Sequence, residues 1–177
     1  MRSTREIPTF DELLDGARES AVHLEMRDTY AVDYESPHFR SWRATGTRTI
    51  DPPPDYFESW VDLIRRTVAR GVRVRRARIV SEPVTEYIRY EHAGTPIIVG
   101  AGEQVRWLPR RQASDLCLPG NDFWLIDGEL IRWNHFTGDG ASAGGEMSED
   151  PAAAKLCGAA FEAVWERAID HVRYRIR

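Results

Sequence analysis

Asp122-Phe123-Trp124-Leu125-Ile126-Asp127-Gly128-Glu129-Leu130-Ile131-Arg132-Trp133-Asn134-His135-Phe136 decides the fold class. Asp-Gly between two apolar runs is the strongest short signal for a hairpin, because a tight turn between antiparallel strands needs positive φ, which these residues accept. The flanking runs, Asp122 to Ile126 and Leu130 to Phe136, are apolar in both phases. Such runs form strands covered on two sides rather than strands at an exposed edge.

Working outward, Thr137-Gly138-Asp139-Gly140 turns the chain into a weaker strand that ends at Met147. Asp150 as cap and Pro151 at the first helical position then open a last helix, with Cys157, Phe161, Val164, Trp165, Ala168 and Val172 on one stripe. Upstream, Val105 to Leu108 before Pro109 predicts a strand, and Val72 to Val80 predicts another. A helix precedes that strand: Asp55 and Glu58 have capping-box spacing, Phe57, Trp60, Val61, Ile64 and Val68 form its apolar stripe, and Gly71 stops it. Thr85 to His92 reads as a short helix, followed by a loop over Ala93 to Gly102. Glu35 to Pro54 reads as a connection ended by Pro52-Pro53-Pro54. Ala21 to Met26 alternates as a strand, with a weaker stretch near Tyr30, and Thr9 with Glu12 caps a short helix before it. Together these elements predict one α/β (α+β) domain over residues 1–177, a mixed and largely antiparallel central sheet flanked by helices.

The chain has 177 residues, 42% of them hydrophobic and 29% charged, enough to bury a core without a metal or disulfide. No run approaches the roughly 20 apolar residues that cross a bilayer, and Met1 to Glu6 lead into no apolar leader core, so a cytoplasmic protein is expected. Of the 24 lysines and arginines only Lys155 is lysine, which leaves little lysine chemistry available. Cys117 and Cys157 are spaced as reduced thiols, the second on the apolar stripe and therefore buried.

Three constellations carry candidate chemistry. Arg65, Arg66, Arg70, Arg73, Arg75, Arg76 and Arg78 fall within fourteen residues, a possible phosphate or nucleic-acid patch. The net charge of -4 and the 28 acidic residues favour instead ion pairing and solvent-facing positions. His135 with Asp127, Asp139, Asp122, Asn134 and Glu146 could place a base beside carboxylates for phosphoester hydrolysis or metal-assisted chemistry, but Asp-Gly pairs are what the turns require anyway. His135 has no companion at zinc-ligand spacing. Tyr87, Arg89, Tyr90, Glu91 and His92 beside Glu82 could line a ligand pocket. Gly100-Ala101-Gly102 lacks the lysine and hydroxyl of a phosphate-binding loop, and no serine sits in a nucleophile elbow.

Arg78-Ile79-Val80-Ser81-Glu82-Pro83, Glu86-Tyr87-Ile88-Arg89-Tyr90-Glu91, Ala101-Gly102-Glu103 with Arg106 to Arg110, Asp122 to Asp127, and His135-Phe136 with Asp139-Gly140 together resemble a family of uncharacterised actinobacterial proteins often encoded beside helix-turn-helix regulators. The likeness runs from about Phe10 to the final helix, including Phe161 and Trp165. It implies a cytosolic protein working with a regulator and supplies no catalytic residue. The strand-and-hairpin half is also similar to phospholipase-D-like domains, whose chemistry needs His-x-Lys-x-x-x-x-Asp. Here Phe136 and Thr137 follow His135 and the hairpin holds no lysine, so the resemblance implies a shared scaffold without phosphodiesterase chemistry.

The reading that results is a non-catalytic domain that binds a protein partner or small ligand in a regulatory setting. Arg78, Glu82, Arg89, Glu91 and Arg106 are its expected polar lining on one concave face, with no cofactor, metal or membrane. The runner-up is a phosphoester hydrolase or metal-assisted enzyme centred on His135, Asp139 and Asp127. The third reading is nucleic-acid binding through Arg65 to Arg78. Oligomeric state is left open.

Overall fold

The computed structural model describes residues 7–31 and 36–177, so the reading of Met1 to Glu6 lies outside the described residues. In chain order the elements are α1 (Phe10–Asp15), β1 (Ser20–Glu25), α2 (Ser36–Thr45), α3 (Asp55–Ala69), β2 (Arg73–Val80), α4 (Glu86–Gly100), β3 (Gln104–Pro109), a 3-10 turn (Arg110–Ala113), β4 (Asp122–Ile126), β5 (Leu130–Phe136), β6 (Ser142–Ser148), α5 (Pro151–Arg167) and β7 (Ile169–Asp170). The hairpin forms as expected: Asp127 and Gly128 both take positive φ, 51° and 73°, and Ile126 pairs with Leu130 across them.

All seven strands share one sheet in the order β6-β5-β4-β1-β2-β3-β7. β1, β2 and β3 run parallel, while β1/β4, β4/β5, β5/β6 and β3/β7 are antiparallel, so the sheet is mixed and largely antiparallel. Because strand side chains alternate between faces, each phase meets a different helical layer. Val22, Leu24, Ala77, Ile79, Leu108, Phe123 and Leu125 pack with Cys157, Phe161, Val164 and Trp165 of α5. On the other face, Ala21, Val74, Trp124 and Ile126 meet Leu13 and Leu14 of α1 and Val61, Leu63 and Ile64 of α3. Val80, Val105 and Trp107 meet Ile88 and Ile98 of α4 and Tyr174.

Four local readings change. α4 does not stop at His92 but continues to Gly100 through Gly94 and Pro96, because Ile97 and Ile98 are buried against the sheet and Thr95 Oγ1 caps the Glu91 carbonyl at 2.8 Å. The expected connection before Pro54 contains α2, whose Phe39 and Trp42 rings lie 5.3 and 5.7 Å from the Tyr90 ring on α4. α3 takes Pro54 as its N-cap, and no side chain caps it, so the spacing of Asp55 and Glu58 served the helix dipole and not a capping box. Val172 is 66% exposed, since α5 ends before it at Arg167.

Candidate functional site

The polar phase of β1 and β2 is buried instead of solvated. His23 and Glu25 on β1 stand in register with Arg76 and Arg78 on β2, so two acid and base positions share the face under α3 and α4. Arg78 is 2.9 Å from Glu25 Oε2 through Nε, and its Nη2 donates to Glu91 Oε2 of α4 at 2.9 Å. Arg76 donates to Glu103 Oε1 at 2.6 Å and to Glu25 Oε1 at 3.2 Å. Burial alone would pull both guanidinium pKa values down. Glu103 and Glu25 at Arg76, and Glu25 and Glu91 at Arg78, more than offset it and hold them above the ordinary arginine value. Arg48, from the segment between α2 and α3, extends the network: it donates to the Tyr90 carbonyl at 2.5 Å, stacks 3.7 Å from the Tyr90 ring centroid and lies 3.8 Å from Glu91. The charges therefore close on one another.

A chain of polar contacts runs from this network toward β5. His23 Nδ1 is 3.8 Å from Glu25 Oε1, and its Nε2 is 3.5 Å from Asn134 Nδ2. Arg132 donates to Asn134 Oδ1, which orients the amide so that its NH2 faces His23 Nε2; the imidazole proton then sits on Nδ1, toward Glu25. The ring stacks on Trp124 with centroids 4.3 Å apart. Burial first, then the charges of Arg76, Arg78 and Arg132, depress the His23 pKa well below the usual range, so His23 is neutral at pH 7.

The carboxyl ends of β1, β2 and β3 lie at one rim, where open α/β sheets usually bind ligands. Here the rim is cross-tied. Asp28 accepts from Ser81 N at 2.7 Å and Ser81 Oγ at 2.6 Å, while Arg110 donates to Ser81 Oγ at 2.9 Å, the Met26 carbonyl at 2.6 Å and the Ile79 carbonyl at 3.2 Å. Beside it the buried Asp122 accepts from Met26 N at 2.9 Å and from the Tyr30 hydroxyl. Burial, with the Glu25 charge adding to it and the two hydrogen bonds opposing, pushes the Asp122 pKa up to about 6.

The five residues expected to line one face are divided. Arg78 and Glu91 meet in the buried network. Glu82 accepts from the Tyr174 hydroxyl at 2.9 Å. Arg89 is exposed on α4 and makes no ion pair among the described residues. Arg106 points to the opposite face, donating to the Trp165 carbonyl at 2.9 Å with its guanidinium 4.4 Å from the Trp165 ring centroid. The single lining is therefore not assembled, because Arg106 belongs to the phase of β3 that meets α5.

The runner-up set is divided too. Asp127 accepts from the backbone N–H groups of Arg18, Glu19 and Ser20 at the β4-β5 turn, whereas His135 lies near the other end of β5, 3.9 Å from Glu146. Asp139 accepts from the Thr137 hydroxyl within its own turn. Among the described residues no three His, Cys, Asp or Glu side chains converge as metal ligands. Within the arginine cluster, Arg65, Arg66, Arg70, Arg75, Arg76 and Arg78 each have a carboxylate partner, Arg66 with Asp11 and Asp15 and Arg75 with Glu162 among them. Sequence reasoning passed over His23, Glu25 and Arg132, and named Asn134 only as a companion of His135. Their signal was polar residues two apart on neighbouring apolar strands, where period two puts both on one face.

No curated protein matches the sequence. Among solved structures, the chain is similar to Nuc, a phospholipase D family member from Salmonella typhimurium, with 12% identity over 93% of this chain and 88% of that chain and a TM-score of 0.52. It is also similar to TrmBL2, an archaeal chromatin protein described as binding DNA, with 12% identity over 90% of this chain but 48% of that one and a TM-score of 0.46. The first likeness shows a shared fold, in agreement with the scaffold resemblance carried by the hairpin. The family model that matches residues 8–176 is described as a domain of unknown function, DUF6879, and the chain belongs to that family.

Proposed function

We propose that the chain is a non-catalytic regulatory domain that binds a protein partner or small ligand, working with a transcriptional regulator as the family resemblance implies, through a surface centred on Arg89 of α4. The observation that carries this reading is the pairing of the sheet charges: Glu25, Arg76, Arg78, Glu91 and Glu103 form ion pairs with one another and fasten α4 to β1 and β2. A group spent on holding a helix is not free to meet a substrate. Arg89, exposed and without an ion pair among the described residues, keeps its planar fork of donors for a carboxylate brought by a partner. Phosphodiester chemistry finds no support, since the single lysine, Lys155, stands on α5 and Asp127 is at the far end of β5 from His135.

Affinity purification from native cells, comparing the wild-type chain with Arg89→Glu and analysing both proteins and small molecules, tests this reading. A component retained by wild type and lost from the folded variant supports it. Equal retention discards the Arg89 surface. Hydrolysis of bis(p-nitrophenyl) phosphate that disappears in His135→Ala overturns the non-catalytic reading in favour of a phosphoester hydrolase. Recovery of nucleic acid with affinity falling steeply as salt rises overturns it in favour of polyanion binding.

A further inference from the structure

On the α3-facing side of the sheet, Arg132 is a cation with no carboxylate within ion-pair distance among the described residues. Arg48, Arg76 and Arg78 on that side each lie within 4 Å of a carboxylate, at 3.8, 2.6 and 2.9 Å. Arg132 makes no ion pair among the described residues. Burial is the sole influence on its pKa, which it lowers. One terminal nitrogen is used on Asn134 Oδ1, and Nε is buried without a hydrogen-bond partner. A half-buried guanidinium without a counter-charge carries part of its desolvation cost uncompensated, and a buried N–H without an acceptor adds to it.

The surroundings fix the shape of what would relieve it. The Arg132 guanidinium carbon stands 4.1 Å from the Phe10 ring centroid, which holds one face of the plane. On the neighbouring strand is Gly145, where a side-chain carbon would meet the Trp133 carbonyl oxygen at 2.7 Å and sit 3.7 Å from the guanidinium carbon and 3.8 Å from Nη2. The absence of a side chain at 145 therefore leaves the guanidinium uncovered on that side, with Nη2 the terminal nitrogen that makes no hydrogen bond among the described residues. Nη2 can donate a charge-assisted hydrogen bond to an oxygen of a carboxylate or phosphate. Asn134, held between Arg132 and His23, keeps the fork from turning.

We propose that Arg132, flanked by Phe10 and Gly145 and positioned by Asn134, anchors a binding site for a small oxyanion at the β5-β6 edge of the sheet. The site lies apart from Arg89 on α4 and stands whether or not that surface binds a partner. Its ligand class is the planar or tetrahedral oxyanion, a carboxylate or a phosphoryl group.

Thermal unfolding of the full chain in increasing inorganic phosphate, and separately in acetate, at ionic strength held constant with chloride, tests the site. A ligand that binds only the folded state raises Tm saturably. The expected result is a rise of several degrees over chloride alone, lost in Arg132→Gln and partly kept in Arg132→Lys. The anion giving the larger rise identifies the phosphoryl or carboxylate class. Asn134→Asp, which supplies a carboxylate to Arg132 from within the chain, is expected to fold and to lose the response, so the test survives if Arg132→Gln does not fold. No rise beyond chloride in the wild type, or an equal rise in a folded Arg132→Gln or Asn134→Asp, overturns the proposal. In the wild type the Arg132 Nε–H resonance should shift with the same saturation curve, and a resonance that stays in place while Tm rises assigns the anion elsewhere and overturns it too.

Discussion

Arg48 lies across α4 at Gly94, where an added methyl carbon would come within 2.2 Å of the guanidinium carbon. The glycine is therefore a slot for a side chain that comes from the segment joining α2 to α3. Gly94→Ala must either displace Arg48 from Glu91 and the Tyr90 carbonyl or bend the helix. Overpacking of this kind costs about 1–3 kcal/mol. Urea unfolding should show that loss, whereas Gly100→Ala, with open space at its Cβ, should cost nothing comparable. Equal stability of the two variants would mean that Arg48 does not anchor the segment.

Glu25 faces both Arg76 and Arg78, so its removal leaves two buried guanidinium groups short of a carboxylate. Breaking a buried pair from one side costs about 3–5 kcal/mol. Glu25→Gln should lie in that range by chemical denaturation. Glu162→Gln is the contrast: it releases the partly covered Arg75, but Glu162 itself is largely in solvent, so the loss should be about 1 kcal/mol or less.

Asp122 makes stability depend on pH. Its pKa rises from 3.8 to about 6 on folding, so the native state holds the proton more tightly; the stabilisation from this group is full below 3.8 and is lost as pH rises through 6. Across that window the change is about 3 kcal/mol, taking 1.36 kcal/mol per pH unit. His171 acts in the opposite sense. Burial first, then the nearby His92, pushes it down to about 4, so its contribution is present above 6.5 and is lost as pH falls through 4. Asp122→Asn should therefore remove only the falling limb. Unfolding free energies of variant and wild type measured from pH 4 to pH 7 should diverge toward the variant's advantage at the upper end, and parallel curves would contradict the assignment.

The two thiols should differ in reactivity. Cys117 is exposed, while Cys157 is buried on the sheet-facing side of α5 and burial raises its pKa to about 11. Because the thiolate is the nucleophile, Ellman's reagent should modify one thiol in the native protein and a second only after unfolding. A Cys117→Ser variant should then show no fast phase.

The elements legible in the sequence were those fixed by local chemistry. Asp127-Gly128 sets its own turn and Asp150-Pro151 starts its own helix, whatever the rest of the chain does. The full length of α4 is not legible locally because Gly94 and Pro96 are breakers in isolation; the reason the helix survives them, burial of Ile97 and Ile98 and the seat for Arg48, lies in distant parts of the chain. α2 is not legible because its apolar contact with α4 rests on Phe39 and Trp42 against Tyr90, too few residues for a periodic stripe. In the site, Glu25 and Arg78 are 53 positions apart, and nothing short of the β1-β2 register brings them together. Arg106 shows the complementary failure, since alternation separates the two faces of β3 without saying which one α5 will cover.

The position of β1 has a consequence for synthesis. It lies in the middle of the sheet, yet its two neighbours are β2, which follows soon after, and β4, about a hundred residues later, with Val22 opposite Leu125. Until the hairpin emerges from the ribosome, a nascent chain that has completed β3 presents β1 as a bare apolar edge, the kind of surface that recruits other strands. Chaperone engagement should therefore be heaviest on chains stalled after Pro109 has cleared the exit tunnel and should fall once Phe136 has cleared it too.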